Sequence, residues 1–161
     1  MKPIWDKGKP VNDLIQRYTV GLDREMDMYL AKYDVMGSLA HITMLESIGL
    51  LEKEELVALS AELKNLLDLI EEDNFVIEDG VEDVHSQVEL MLTRKLGDMG
   101  KKIHSGRSRN DQVLVDLKLF TRDKLRGVVN SVKALFDILI KQSNRYKDVL
   151  LPGYTHLQIA M

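Results

Sequence analysis

The sequence predicts an all-α protein, and three observations carry that prediction. Only three prolines occur in 161 residues, whereas Leu, Met, Glu, Lys and Asp are abundant, a balance that favours helix. Apolar residues recur at steps of three and four along several stretches, which is the helical period. Turn-forming residues separate those stretches, so we expect several helices joined by short loops.

The first half of the sequence contains two amphipathic stretches that predict helices over residues 23–47 and 53–72. The apolar positions of the first stretch are Met26, Leu30, Tyr33, Met36, Gly37, Ala40 and Met44. Those of the second are Leu56, Leu59, Leu63, Leu66, Leu67 and Ile70. Gly49 is placed to end the first helix, and the short connection predicts antiparallel neighbours. Before them we expect an irregular arm, with a short helix over residues 11–18.

Two more helices are predicted, over residues 81–96 and from Ser108 or Arg109 to Tyr146. Ser108 and Asp111 have the spacing of a capping box, which favours a helix start there. The last helix would be ~55 Å long at 1.5 Å per residue. It carries two apolar sides, which is typical of a helix buried among several others, so we expect oligomerisation or further chain. After Pro152 and Gly153, the tail predicts the start of another helix, interrupted at the end of the chain.

Composition and charge exclude several classes of function. The formal net charge of −4 argues against a general nucleic-acid binder, which needs a broad basic surface. No apolar run approaches the roughly 20 residues that span a bilayer, so we expect no membrane partner. The absence of cysteine excludes disulfides and thiol nucleophiles, and it fits a cytoplasmic location.

The segment "KKIHSGRSRNDQ", residues 101–112, is strongly cationic in an acidic chain. Arg107 and Arg109 offer planar donor forks that match carboxylates, and Gly106 lets the backbone come close to a ligand. Ser108 and Asn110 add neutral hydrogen bonds at a helix start that favours anions. The segment therefore predicts either a pocket for carboxylates or phosphate, or a solvated basic loop. P-loop spacing and interleaved aromatic residues are absent, which disfavours nucleotides and RNA.

A second polar cluster is "GYTHLQ", residues 153–158. It contains His156, and histidine is the residue type that suits proton transfer near neutral pH, beside Thr155 and Gln158. The alternative is a Thr cap with a surface histidine. Of the other histidines, His41 is interpreted as structural. His85 lies too close in sequence to its acidic neighbours to share one helical ligand face, so we expect no metal site.

Together, "GKKIHSGRSRNDQV" and "LPGYTHLQIA" closely resemble the argininosuccinate lyases, a family of the fumarase/aspartase superfamily. The segments "DVMGSLAHITMLESIGLL" and "EDVHSQVE" extend the resemblance over most of residues 20–161. The resemblance implies a fumarase/aspartase-like N-terminal helical domain over residues 1–107. Residues 108–161 would then be the start of the central helical bundle.

The resemblance also implies an activity, the reversible anti elimination of argininosuccinate to arginine and fumarate, without a cofactor. The substrate is a small tricarboxylate, and the enzymes are cytoplasmic homotetramers whose sites combine several subunits. His156 matches the family's general acid/base. The implied substrate-binding residues are Arg107, Ser108, Arg109, Asn110, Thr155 and Gln158, with His85 as a further active-site histidine.

Two departures from the family pattern stand out. Asp23 occupies the position of a serine that usually touches substrate; its charge repels carboxylates but can pair with the substrate guanidinium. The family's glycine-serine loop, which carries the catalytic serine base, is not in the sequence. We therefore expect an N-terminal portion with little or no activity by itself. The alternatives are a non-catalytic, crystallin-like helical protein and a related enzyme such as adenylosuccinate lyase.

Overall fold

The structure, a computed structural model, describes residues 13–160, and these are helical over most of their length. The helices are α1 (Asp13–Val20), α2 (Asp23–Asp27), α3 (Ala31–Ser47), α4 (Lys53–Glu71), α5 (Val84–Leu96), α6 (Asp98–Lys101) and α7 (Arg109–Tyr146). A 3-10 turn covers Lys102–His104, and two short strands follow α7, β1 (Tyr154–Thr155) and β2 (Gln158–Ile159). The predicted all-α class is confirmed. None of the helices in this part of the chain is long and apolar enough to cross a membrane.

The chain divides into two compact units, one up to Thr121 and the other from Arg122 onward. The core of the first unit lies among α3, α4 and α5. Its fully buried side chains include Val35, Ile42, Leu45, Leu59, Leu63, Leu66, Val84, Val88 and Leu92. The apolar positions predicted for α4 therefore do face the core. Lys32 at the start of α3 pairs with Glu71 at the end of α4 at 2.8 Å, as antiparallel neighbours require.

The first predicted helix, residues 23–47, is wrong as one continuous element. Residues 28–30 separate α2 from α3 in a tighter turn, in which the N–H of Leu30 donates to the carbonyl of Asp27. The predicted apolar face is also partly wrong, because Met26, Met36 and Met44 are 53%, 40% and 41% exposed. The buried face of α3 is shifted and includes two polar residues, which a search for apolar periodicity passes over.

The segment over residues 83–103 packs closely and leads to the cationic loop, residues 104–110. Asp83 caps α5 by accepting a hydrogen bond from the N–H of Ser86 at 2.8 Å. Gly97 ends α5 with a positive φ of 64°, and α6 turns back onto α5. A Cβ at Gly100 would lie 2.5 Å from the α5 backbone, so only glycine allows this approach. The loop that follows is thereby fixed beside α5.

The start of α7 is as predicted, because Ser108 precedes the first helical residue and exchanges hydrogen bonds with Asp111. Both the N–H and the hydroxyl of Ser108 donate to the Asp111 carboxylate, at 2.8 and 2.9 Å. Farther along, α7 exposes large apolar side chains on more than one side. They are Val128, Val129, Val132, Leu135, Phe136, Leu139 and Ile140. The expected oligomerisation stays a prediction, as does the domain boundary between residues 107 and 108.

The tail of the second unit forms a β-hairpin, so the helix predicted there is wrong. Tyr154 pairs with Ile159 and Thr155 with Gln158 in antiparallel register. His156 and Leu157 form the two-residue turn with φ of 49° and 66°. Two residues with positive φ match the twist of the flanking strands. The turn has His and Leu in place of the Asn-Gly or Asp-Gly pair that is typical of such hairpins. It could not be predicted from the sequence, because His and Leu adopt positive φ only infrequently.

Candidate active site

The cationic loop, residues 104–110, is tied to the helices of the first unit at several points. The carbonyl of Ser105 contacts Nε2 of His41 at 2.8 Å, so the histidine interpreted as structural holds the loop backbone. Nδ1 of His104 lies 3.2 Å from the side-chain oxygen of Gln112. Arg107 donates to the hydroxyl of Ser38 at 3.0 Å. These contacts give the loop a fixed position, while six of its seven residues, all but Arg107, are exposed.

Arg107 is the more buried of the two predicted carboxylate-binding arginines. It borders a groove of about 520 Å³ between α3 and the start of α7. The groove is mostly apolar and is also lined by Met36, Ala40, Met44, Gln112, Val115 and Leu119. Burial lowers the pKa of Arg107, and the nearby carboxylates of Asp34 and Asp116 counteract that shift. Its guanidinium is therefore held against buried negative charge at one wall of the groove.

Arg109 has a different environment, because its guanidinium already has protein partners. It pairs with the carboxylate of Asp83, the capping residue of α5, and donates to the hydroxyl of Ser86 at 3.1 Å. A substrate carboxylate would have to share this donor fork with Asp83. Asn110 and Ser108 are exposed beside it, at the start of α7. The structure thus brings the four predicted loop residues onto one short segment.

His85 lies beneath the loop in what we call the buried triad, formed with Asp34 of α3 and Asp116 of α7. The three residues are 6%, 2% and 1% exposed, and one ligand atom from each lies within 4.8 Å of the others. Nδ1 of His85 is 2.9 Å from Asp34 and 3.7 Å from Asp116. The side-chain amide of Gln112 also donates to Asp34, at 3.3 Å.

The environment of the triad shifts the pKa values of Asp116 and His85. Burial, together with the charge of Asp34, raises the pKa of Asp116 to about 7, against opposing effects from His85 and Arg107. Burial lowers the pKa of His85, but the hydrogen bond and charge of Asp34, helped by Asp116, outweigh it and raise the pKa overall. Both shifts favour the protonated forms, so Asp116 and His85 bind protons more tightly in the buried triad than they would in water.

Sequence reasoning missed the two carboxylates of the triad. Asp34 and Asp116 sit within apolar helix faces, and a charged residue inside such a face is the signal that was available. Gly37 was assigned to the apolar face, yet it lies at the close crossing of α3 and α7. A Cβ there would meet Val115 at 3.3 Å and Asp116 at 3.5 Å.

Asp23, the predicted departure from the family serine, is the first residue of α2 and is exposed. Its charge acts on Asp27, which accepts a hydrogen bond from the N–H of Val84 at 3.2 Å. Burial raises the pKa of Asp27, while that hydrogen bond and the charge of His85 lower it. Asp23 therefore lies on the side of the first unit where α5 begins.

The remaining predicted site residues belong to the hairpin of the second unit. Thr155 and Gln158 face each other across the hairpin, and His156 occupies the turn with positive φ. All three side chains are exposed. The hairpin is closed by the N–H of Ala160, which donates to the carbonyl of Gly153 at 2.8 Å. An exposed imidazole can exchange protons with a bound ligand or with solvent.

Comparison with known proteins shows which family the sequence of this chain matches. A family model described as "Lyase" matches residues 8–161. The chain is 70% identical, over 98% of its length, to an argininosuccinate lyase of Parabacteroides distasonis and 72% identical to one of Phocaeicola vulgatus. It is 40% identical, over 94% of its length, to an argininosuccinate lyase of Thiobacillus denitrificans.

The matches cover nearly all of this chain but only part of each relative. The chain spans about a third of the length of these relatives, 35%, 35% and 32% respectively. The resemblance to the argininosuccinate lyases, which rested on the cationic loop and the hairpin, is confirmed. Because the family model covers more than half of the sequence, the chain belongs to this lyase family.

Proposed function

We propose that this chain is part of an argininosuccinate lyase, which cleaves argininosuccinate reversibly to arginine and fumarate in arginine biosynthesis. The reaction is an anti elimination, in which a base removes the proton beside a carboxylate and the guanidinium nitrogen leaves. Negative charge grows on that carboxylate in the transition state. Donors already aimed at its oxygens lower the barrier, because they need no reorganisation during the reaction.

The cationic loop supplies such donors in this proposal. Arg107 and Arg109 bind and polarise the succinyl carboxylates, with Ser108 and Asn110 beside them. The N–H groups of Arg109 and Asn110 add donors, since the hydrogen bonds at the helix start begin with those that Asp111 and Gln112 donate to the carbonyl of Ser108. Contacts from His41 and Ser38 support this role because they hold the loop in place before any ligand arrives.

The hairpin supplies the proton-transfer group and further substrate contacts. His156 acts as general acid/base at the departing nitrogen, and Thr155 and Gln158 bind the substrate. Asp23 pairs with the substrate guanidinium, which is cationic. His85 acts from beneath the cationic loop, since it is too buried for free exchange with solvent. The proposed enzyme is a cytoplasmic homotetramer, a state that the exposed apolar side chains of α7 favour.

The observation that carries the proposal is the cationic loop at the start of α7. Two guanidinium groups, a capped helix start and a buried charged support converge on seven residues, 104–110, of an acidic chain. The relatives at 70% and 40% identity are alike named argininosuccinate lyases. The alternatives, a crystallin-like structural protein and adenylosuccinate lyase, gain no support from these relatives.

A chimera tests the proposal. The matching segment of the Parabacteroides distasonis enzyme is replaced by this chain, and fumarate release is followed by its absorbance. We expect the chimera to cleave argininosuccinate at a rate comparable with the parent enzyme and to leave adenylosuccinate intact. We expect the 161-residue chain alone to be inactive or weakly active.

The matched control is a chimera carrying Asp98→Asn, which changes an exposed carboxylate that pairs with Lys101. It should match the unsubstituted chimera. A chimera that folds and assembles like the parent but releases no fumarate from argininosuccinate would contradict the proposed function. Faster cleavage of adenylosuccinate than of argininosuccinate would contradict the proposed substrate.

A further inference from the structure

The buried triad contains more negative charge than its immediate surroundings can neutralise without a proton. Asp34 and Asp116 face one guanidinium, that of Arg107, and one imidazole, that of His85. With His85 protonated, two negative and two positive charges balance in a region almost closed to water. Without that proton a net negative charge remains buried, which is strongly unfavourable. Asp27 of α2 and Glu89 of α5 add further negative charge nearby.

The hydrogen-bonding geometry favours a proton over a metal ion in this position. Nδ1 of His85 points at Asp34 at 2.9 Å, which is hydrogen-bonding distance. Asp34 accepts a second hydrogen bond from Gln112. A cation bound to the same three side chains would also lie close to the Arg107 guanidinium, whose charge acts on both carboxylates. Oδ2 of Asp34 and Oδ2 of Asp116 are buried without a hydrogen-bond partner, and the latter is the oxygen that faces Nδ1 of His85 at 3.7 Å, which leaves room for a shared proton.

The triad is connected to the cationic loop by two short routes. On α3, Ser38 lies one turn after Asp34, on the same helix face, and accepts the hydrogen bond from Arg107. On α7, Gln112 lies one turn before Asp116, and it contacts both Asp34 and His104. Residues 104 and 107, at the two sides of Gly106, are thus anchored to the helix faces that carry the triad.

We propose that Asp34, His85 and Asp116 share protons as one buried unit that positions Arg107, and with it the cationic loop, for carboxylate binding. Asp34 and Asp116 are positioning residues in this scheme, since they act on the substrate through Arg107. The inference rests on the proposed function for its catalytic consequence. Its physical content, a proton shared in the triad, does not depend on activity.

The first test measures the proton directly in the 161-residue chain. Nitrogen-15 spectra of the four imidazoles, followed against pH, give the protonation midpoint of each histidine. We expect His85 to stay protonated to higher pH than an unperturbed histidine, and Asp34→Asn to lower its midpoint by about one unit or more. Asp116→Asn should lower the midpoint less, because that carboxylate is farther away. Asp98→Asn is the matched control and should change nothing.

The second test uses the chimera described above and reads the pH profile of kcat/KM. Asp116→Asn is expected to displace Arg107. We therefore expect kcat/KM to fall by about a hundredfold in this variant, with a raised KM for argininosuccinate. The profile should also lose the ionisation that belongs to the triad. Asp116→Glu, which restores the carboxylate, should recover part of the activity and of the profile. If Asp116 had a purely structural role, its substitution would lower kcat/KM by the same factor at every pH and leave the shape of the pH profile unchanged.

Several results would overturn the inference. One is a His85 that titrates like a free histidine and does not respond to Asp34→Asn in the folded chain. Another is that the chimeras carrying Asp34→Asn and Asp116→Asn have the same KM, and the same shape of the pH profile of kcat/KM, as the unsubstituted chimera. Stabilisation of the chain by Zn²⁺ or Mg²⁺, lost in Asp116→Asn, would assign the triad to a metal instead. If the unsubstituted chimera is inactive, the proposed function fails, while the imidazole titration still decides whether the triad shares a proton.

Discussion

The cationic loop of the first unit and the hairpin of the second carry the two halves of the predicted chemistry, and they are built differently. The loop is held by side-chain contacts from α3, α5 and α7, with buried charges behind it. The hairpin is held by its main-chain pairing, and its polar side chains are exposed. Carboxylate binding is therefore prepared by the packing of the first unit, whereas His156 depends on the local backbone of a two-residue turn.

The largest expected effect comes from removing the imidazole of the hairpin. In the chimera, His156→Asn should lower kcat by at least about a hundredfold, because general acid/base catalysis typically contributes 10²–10⁴. Asparagine tolerates positive φ, so the turn should persist. Fumarate release and circular dichroism are measured together.

The neighbouring turn residue provides the matched control for that substitution. Leu157→Asn makes the same change at the other position with positive φ and leaves the imidazole in place. We expect this variant to retain most of the activity. Equal losses in both variants would assign the effect to the shape of the turn, and unchanged activity in His156→Asn would remove its catalytic role.

An intermediate effect is expected in the pH dependence of stability. The pKa of Asp116 is about 7 in the folded chain, against an ordinary value of 3.8, so the folded chain binds this proton more tightly. Its contribution to the free energy of unfolding is therefore fully present below pH 3.8 and is lost as pH rises to about 7. Asp116→Asn should reduce the pH dependence of the stability of the 161-residue chain over that range, and Asp27, whose pKa is also raised, keeps part of it.

Urea unfolding at a series of pH values measures this slope. Asp98 and Asp111 have lowered pKa values, so they affect stability only below their ordinary value of 3.8 and do not obscure the range above it. Above about pH 5, the free energy of unfolding of Asp98→Asn should depend on pH as that of the unsubstituted chain does. Parallel curves for the parent and Asp116→Asn would show that the carboxyl of Asp116 titrates normally.

The smallest expected effect compares one hydroxyl from each region. Ser108→Ala removes the cap of α7 and should lower the free energy of unfolding by about 1 kcal/mol. Thr155→Ala removes an exposed hydroxyl from the hairpin and should change it by less than about 0.5 kcal/mol. Urea unfolding of both variants provides the comparison. A larger loss in Thr155→Ala than in Ser108→Ala would contradict the contrast between the loop and the hairpin.

Sequence patterns predict the parts of this fold that depend on local periodicity and capping. They locate α4, α5 and the start of α7 closely, because those helices have clear apolar stripes and, at Ser108, a visible cap. They fail for α3, whose buried face contains Asp34 and Ser38. Polar residues in a core are satisfied by distant partners, and no local pattern reveals these.

The candidate site shows the same limit. The loop residues and His156 are apparent because several functional side chains stand together in the sequence. The pairing of Arg109 with Asp83 joins residues 26 positions apart, and that of Asp34 with Gln112 joins residues 78 apart. Such contacts follow from the packing of helices rather than from sequence spacing. The sequence therefore predicts the donors of the site but not the buried charges that hold them.

Binding of succinate to the 161-residue chain tests most directly whether the cationic loop is a preformed carboxylate site. Amide resonances are followed by nitrogen-15 NMR as succinate is added at constant ionic strength, with neutral succinamide as the control. We predict saturable shifts at residues 105–110, smaller or no shifts at residues 153–159, and none with succinamide. Shifts that are equal in the loop and the hairpin, or absent from the loop, would contradict the account.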